Sequence, residues 1–264
     1  MNRISPTVKQ LLIINFIFYF GSSFSLNTEF IYSLFSLHFP ENPEFKFWQL
    51  LTHMFMHGGI LHLAFNMFAL WMFGSAIESI FGSRRFLFFY LTCGLGAAIA
   101  QISFLYYSFY SNLDLLLNSG YEQQTVLNLL MEGKYNTSWV NILGQEGLMS
   151  FNTSFLSTMV GASGAIMGVL VAFGMFFPES KLMLIFFPIP VKAKYFIPGI
   201  ILLDLFSAIT GQAIFSPSNT AFIAHLGGAF TGFLIMYYWK KNQFNRNRWL
   251  SLIHISEPTR HSDI

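Results

Sequence analysis

Six stretches of the chain are each long and apolar enough to cross a lipid bilayer: residues 8–26, 59–81, 85–107, 155–177, 195–215 and 220–240. About 20 apolar residues in a helix span the hydrocarbon core. Inside that core every backbone N–H and C=O must find a partner within the protein, which leaves helices as the natural solution for runs of this length. The spans and their loops consume most of the 264 residues. The expected class is therefore an all-α polytopic membrane protein, one six-helix bundle over residues 1–249 without a sizeable soluble domain. Composition agrees: 54% of residues are hydrophobic and 10% charged, too little polar surface for a soluble domain of this size. The formal charge of +2 gives no reason to expect nucleic acid.

Lys and Arg distribution predicts the orientation. With the N-terminus inside, inner segments hold eleven of them (Arg3, Lys9, Arg84, Arg85, Lys181, Lys192, Lys194, Lys240, Lys241, Arg246, Arg248) and outer segments two, Lys46 and Lys134. Both termini are then cytoplasmic. The first span lacks a small-residue cleavage site and reads as a retained helix. The lone Cys93 has no internal disulfide partner. The compact plan and the inner positive bias point to a bacterial inner membrane, with an organelle membrane as the alternative. Residues 250–260 have neither helical period nor loop chemistry and match one reading frame of a library-preparation adapter, so 250–264 are set apart from the bundle. They are expected to be a sequencing artefact, so His254 and His261 enter no site.

Two connecting regions stand out. Residues 27–58 are rich in aromatics (Phe30, Tyr32, Phe35, Phe39, Phe45, Phe47, Trp48) and read either as an interfacial segment or as a plain loop. Residues 108–154 are more polar and long for a bare loop, with a short helix expected over 122–131.

Three clusters bear groups capable of chemistry. Ser163 sits in Gly161-Ala162-Ser163-Gly164-Ala165, about eight residues into its span. His225 sits in Ala224-His225-Leu226-Gly227-Gly228, about five residues into the last one. At 1.5 Å per residue those depths are roughly 12 and 8 Å. Serine becomes a useful nucleophile when a base accepts its proton, and histidine does so near neutral pH. Alone, Ser163 reads as packing, with small residues Gly161, Gly164, Ala165 and Gly168 beside it. Gly228 and Gly232 likewise form a GxxxG contact motif. Yet these two close-packing helices are the ones bearing Ser163 and His225.

The third cluster is His53-Met54-Phe55-Met56-His57-Gly58-Gly59, followed by His62 and Asn66, four apart on one helix face. Polar residues in a span face the protein interior or a water-filled cavity. They read either as interhelical glue or as donors to a developing oxyanion, together with the Ser163 N–H. No HExxH motif or second ligand cluster accompanies these histidines, so no metal is expected.

These motifs, with Ala69-Leu70-Trp71-Met72-Phe73-Gly74 and Glu78-Ser79-Ile80-Phe81-Gly82, resemble the rhomboid family of intramembrane serine proteases over about residues 47 to 239. The resemblance implies a six-transmembrane-helix rhomboid-like bundle and hydrolysis of peptide bonds in or next to transmembrane helices of membrane-protein substrates. It implies Ser163 as nucleophile and His225 as base in a dyad without a third carboxylate, and His62, Asn66 and the Ser163 amide as the oxyanion hole. Gly161 and Gly164 would shape the turn around the serine, Gly228 and Gly232 would seat the last helix, and His57 would lie close to the site. Trp48 would belong to a membrane-dipping loop. No cofactor or metal is implied; the partners are transmembrane substrates and the lipid bilayer.

Two departures follow from the same comparison. Gln49 stands where many relatives carry an arginine that organises the loop. Met167 stands one turn after the serine, where some relatives stack an aromatic ring on the imidazole, so His225 must be oriented by something else. Asp204, expected near the midplane, must be neutral or paired; a structural hydrogen bond is the first reading and a role in substrate gating the second. The alternative functions are an inactive rhomboid-like protein binding transmembrane clients, and a channel or transporter, for which neither broken midplane helices nor inverted repeats are present.

Overall fold

Pro6 opens the first helix, where its missing N–H has no intrahelical partner to lose. The computed structural model describes residues 4–184, 187–212 and 221–254. Helix α1 (Pro6–Ser23) leads into α2 (Thr28–Phe35), whose first turn is capped by the Asn27 side chain accepting from the Phe30 N–H. Strand β1 (Leu37–His38) and α3 (Gln49–Thr52) follow. Beyond Gly58-Gly59 comes a long membrane helix: α4 (Ile60–Ala69), a π-helical turn at Leu70–Gly74, then α5 (Ser75–Phe81). Next are α6 (Ser83–Asn118), α7 (Gln123–Met131) and α8 (Val140–Leu156), the last kinked at Gly144. Strand β2 (Thr158–Met159) pairs antiparallel with β1, and α9 (Ser163–Phe176) follows it. The hairpin β3 (Lys181–Leu184) and β4 (Phe187–Lys192) precedes α10 (Ala193–Thr210) and α11 (Phe222–His254).

Among the described residues, four helices are long and apolar enough to cross a membrane: Ile60–Phe81, Ser83–Asn118, Ala193–Thr210 and Phe222–Lys241. The protein is a helical, polytopic membrane protein. Helix α1 ends at Ser23, short of the expected 26. The expected end of the fifth span at Phe215 and start of the sixth at Thr220 lie outside the described residues, as does the tail from residue 255. The backbone of 250–254 continues α11.

Two spans differ from expectation. The stretch 155–177 is not one helix. It holds the end of α8, strand β2 and a turn at Gly161, whose φ of 121° is strained for any residue with a Cβ. Its main helix is Ser163–Phe176, 14 residues, about 21 Å against a core of about 30 Å. Conversely, α6 runs 36 residues, about 54 Å, well beyond the expected end at 107. Its extension buries Phe109, Leu113 and Leu116 against Val126 of α7, the neighbouring Trp139, and Phe151 and Phe155 of α8. A second hydrophobic core therefore stands on the serine side of the bundle, and the expected helix over 122–131 (α7) is part of it.

Helix α9 is buried on nearly all sides, from Gly164 to Phe173, and packs on α5, α6, α10 and α11. Small residues permit this. A Cβ on Gly228 of α11 would collide with the Gly164 carbonyl of α9, and one on Gly232 would stand 2.6 Å from Gly168 Cα. Close backbone approach of this kind is how helices associate where water supplies no hydrophobic drive. Helix α1 is fixed at its head by Glu78 of α5, which accepts from the Thr7 and Val8 N–H groups, both at 2.9 Å, and from the Ser5 and Ser83 hydroxyls. A carboxylate there satisfies orphan donors and complements the helix dipole. At the opposite end of α9, Lys192 and Lys194 clasp the exposed Glu179 at 2.7 and 2.5 Å. Their hydrogen bonds and charges hold its carboxyl down to about 2.

Candidate active site

Ser163 is the first residue of α9, so the structure moves it from eight residues inside a helix to the helix head. The N–H groups of a first turn have no intrahelical acceptor, and the dipole there favours negative charge. The extended entry past Gly161 makes that position available. Gly161 also donates its N–H to the His53 carbonyl at 2.9 Å, which ties the turn to the segment before α4. A Cβ on Gly161 would stand 2.8 Å from His62 Nε2 and Cε1, and 3.6 Å from Asn66 Nδ2. Glycine there lets both side chains of α4 approach the turn that leads into Ser163.

His225, on the first turn of α11, places Nε2 2.8 Å from Ser163 Oγ. Its other ring nitrogen, Nδ1, lies 3.0 Å from Asp204 Oδ2 on α10. A carboxylate only accepts, so Nδ1 carries the proton and donates. Nε2 is then the bare nitrogen, able to accept from the Ser163 hydroxyl. The arrangement departs from a two-residue dyad: a carboxylate stands behind the histidine. Asp204 is 5% exposed. It lies six residues before the end of α10 at Thr210.

Asn66 is buried and donates through Nδ2 to His57 Nε2 at 3.0 Å. That bond makes Nδ1 the protonated nitrogen of His57, directed to the Phe55 carbonyl at 3.3 Å. The His57 carbonyl in turn accepts from the Tyr32 hydroxyl at 2.5 Å. The His57 and His62 rings meet edge to face at 5.1 Å. Burial pushes His53 and His57 down to about 4, His57 also under the charge of His62, so both are neutral at physiological pH.

Gln49 replaces the expected arginine and is fully buried. Its amide donates to the Ser33 and Glu44 carbonyls at 2.8 and 2.9 Å, and its carbonyl oxygen accepts from the His38 N–H at 3.3 Å. The Gln49 backbone carbonyl accepts from His53 Nδ1 at 2.9 Å. A neutral side chain thus knits the loop before α4. Trp48 is half exposed beside an exposed Phe47 and bonds the Leu34 carbonyl through Nε1 at 2.8 Å. Among the described residues, no group of three His, Cys, Asp or Glu side chains is placed to hold a metal ion.

Ser163, His225, His62, Asn66, Gly161 and His57 therefore converge, and Gly164, Gly228 and Gly232 form the seam between α9 and α11. The motifs did not disclose Asp204 and Tyr32. For Asp204 a signal existed: it is a lone carboxyl toward the end of one apolar helix, His225 stands at the start of the next, and α10 packs on α11. Tyr32 left none, being one aromatic among many.

The rhomboid domain family matches residues 44–113 and 133–242, more than half of the chain. The chain belongs to the rhomboid family. That family generally includes intramembrane serine proteases. Rhomboid protease GluP of Bacillus subtilis is 49% identical over 59 residues, 22% of this chain and 12% of that protein. The mitochondrial presenilin-associated rhomboid-like protein of Homo sapiens is 28% identical over 214 residues, covering 78% of this chain and 43% of its own length. The mitochondrial RHOMBOID-like protein 6 of Arabidopsis thaliana is 43% identical over 58 residues, 22% of this chain and 19% of its own. This rhomboid chain spans less than half the length of these curated relatives.

Proposed function

We propose that this rhomboid is an intramembrane serine endopeptidase that hydrolyses peptide bonds in or next to transmembrane helices of membrane-protein substrates. The observation that carries the reading is the 2.8 Å contact between Ser163 Oγ and His225 Nε2, made at the head of a helix. In the reaction, His225 Nε2 accepts the hydroxyl proton as Ser163 Oγ bonds the scissile carbonyl carbon. The oxyanion that forms is met by the Ser163 N–H and by side-chain donors of Asn66 and His62. The proton on Nε2 then passes to the leaving amine nitrogen as the C–N bond breaks. Water, activated by the same nitrogen, releases the acyl-enzyme.

The substrate segment must unwind locally, because a helical peptide bond is shielded by its own turn. Six spans with both ends cytoplasmic follow from the Lys and Arg bias and put the serine toward the outer face. A bacterial inner membrane fits that bias, while the relatives include both bacterial and mitochondrial proteins.

A fluorophosphonate probe tests the chemistry directly. Labelling of the folded protein that is lost in Ser163→Ala and strongly reduced in His225→Ala supports the reading. Folded protein that takes no label refutes it, and leaves a rhomboid that binds transmembrane clients without cutting them.

A further inference from the structure

We infer that Asp204 is a positioning residue for the reaction, holding His225 by Nδ1 so that three residues on three helices, α9, α10 and α11, act together. The inference rests on the serine-protease reading and deepens it. Three observations carry it. The Asp204 carboxylate lies 3.0 Å from His225 Nδ1. Asp204 is buried on an otherwise apolar stretch of α10, and among the described residues no Lys or Arg pairs with it. A lone carboxylate in such a place is costly unless a partner answers it, and the described partner is the imidazole. Lastly, Met167 occupies the turn after Ser163, and among the described residues no aromatic ring packs face or edge on His225. Without a stacking ring, the torsion of the imidazole has to be held by its hydrogen bonds.

The chemistry of such a contact is specific. An Nδ1–H donated to Asp204 leaves Nε2 bare and aimed at Ser163 Oγ; the other tautomer would present a hydrogen there and could not accept. When the serine proton arrives, the imidazolium keeps its Nδ1–H and its positive charge faces the carboxylate. Asp204 gains no proton at any step. The same Nε2 proton leaves with the amine, returning the ring to its starting tautomer. The contacts tie three helices together, because α9 and α10 both pack on α11 and His225 meets Ser163 of one and Asp204 of the other.

The test uses the full chain in proteoliposomes with a single-span transmembrane substrate, comparing the parent with Asp204→Asn. Asparagine keeps the size but forfeits the charge and can hold the wrong tautomer. We expect kcat to fall about 100- to 10,000-fold with KM changed less than about twofold, fluorophosphonate labelling to slow in parallel, and the melting temperature to stay close to the parent's. A merely structural aspartate would instead lower the melting temperature and leave the folded fraction cutting normally. A folded Asp204→Asn protein with kcat within about threefold of an active parent overturns the role while leaving the protease reading intact. A parent that neither cuts nor labels overturns both. Should the variant fail to fold, nitrogen-15 histidine spectra of the active parent decide: an Nδ1-protonated, Nε2-bare His225 supports the role, and an Nε2-protonated ring overturns it.

Discussion

Asn66 Nδ2 stands 3.0 Å from His57 Nε2, so a buried, neutral histidine holds the amide that faces the turn leading into Ser163. His57 is itself anchored from α2 by Tyr32. If Asn66 supplies an oxyanion donor, its removal costs about 100-fold or more in kcat. His57→Ala leaves the donor present but free to swing, and should reduce kcat by about tenfold, less than Asn66→Ala, with KM unchanged. Steady-state kinetics on the two variants check the order. A larger loss in His57→Ala than in Asn66→Ala would contradict the assignment.

The paired buried histidines have a consequence for acid stability. His53 and His57 are pushed down to about 4 by burial, while an unfolded histidine titrates near about 6.5. Between those values the unfolded chain binds more protons than the folded one, so stability rises with pH. It should be complete above about 6.5 and decline as pH falls toward 4, by at most about 1.4 kcal/mol per pH unit for each histidine. Thermal melts in detergent from pH 7.5 to 4 read this out. A melting temperature that stays flat over that range would show that the two rings are not buried and neutral together.

Gly161 is the residue on which the entry to α9 turns. With φ at 121° and His62 2.8 Å from any added Cβ, Gly161→Ala must either strain the backbone, at about 1–3 kcal/mol, or displace His62 and the serine helix head. Activity is expected to fall at least tenfold, and fluorophosphonate labelling to slow with it. Gly120→Ala also replaces a glycine of positive φ, 93°, but lies beyond α6 in open space. It should cost stability without touching labelling.

Glu78 is a stability residue. Glu78→Ala leaves the head of α1 with the Thr7 and Val8 donors unanswered, a loss of about 1–3 kcal/mol for each buried group left without a partner. The melting temperature should drop, while protein kept below the transition labels as the parent does. Loss of labelling in well-folded Glu78→Ala would mean that α1 reaches the site, which the contacts do not suggest.

Much of this molecule can be read without coordinates, and the parts that cannot share a cause. Ser163, His225, His62 and Asn66 stand in local motifs, and the membrane class follows from hydropathy. Hydropathy is blind to backbone dihedrals, however, so residues 155–177 read as one span although Gly161 breaks the chain and the helix starts at Ser163. Depth estimates inherited that error. Asp204 reads from the sequence only as a lone carboxyl in an apolar helix, because hydropathy does not say which side chain of the next helix it meets. The second core, where α6 outruns the membrane to meet α7 and α8, was hidden because the polar residues of 108–154 mask an apolar face at helical spacing. Gln49 shows the opposite error. A missing arginine suggested a missing network, yet an uncharged amide with two donors and an acceptor spans the same loop by itself.

The measurement that bears most directly on the account is cleavage of a single-span membrane substrate by the purified protein in proteoliposomes, beside Ser163→Ala and His225→Ala. The account predicts cutting by the parent and none above background in either variant, with all three proteins equally folded. Cutting that survives Ser163→Ala, or a parent that labels with no serine probe and cuts nothing, would contradict it.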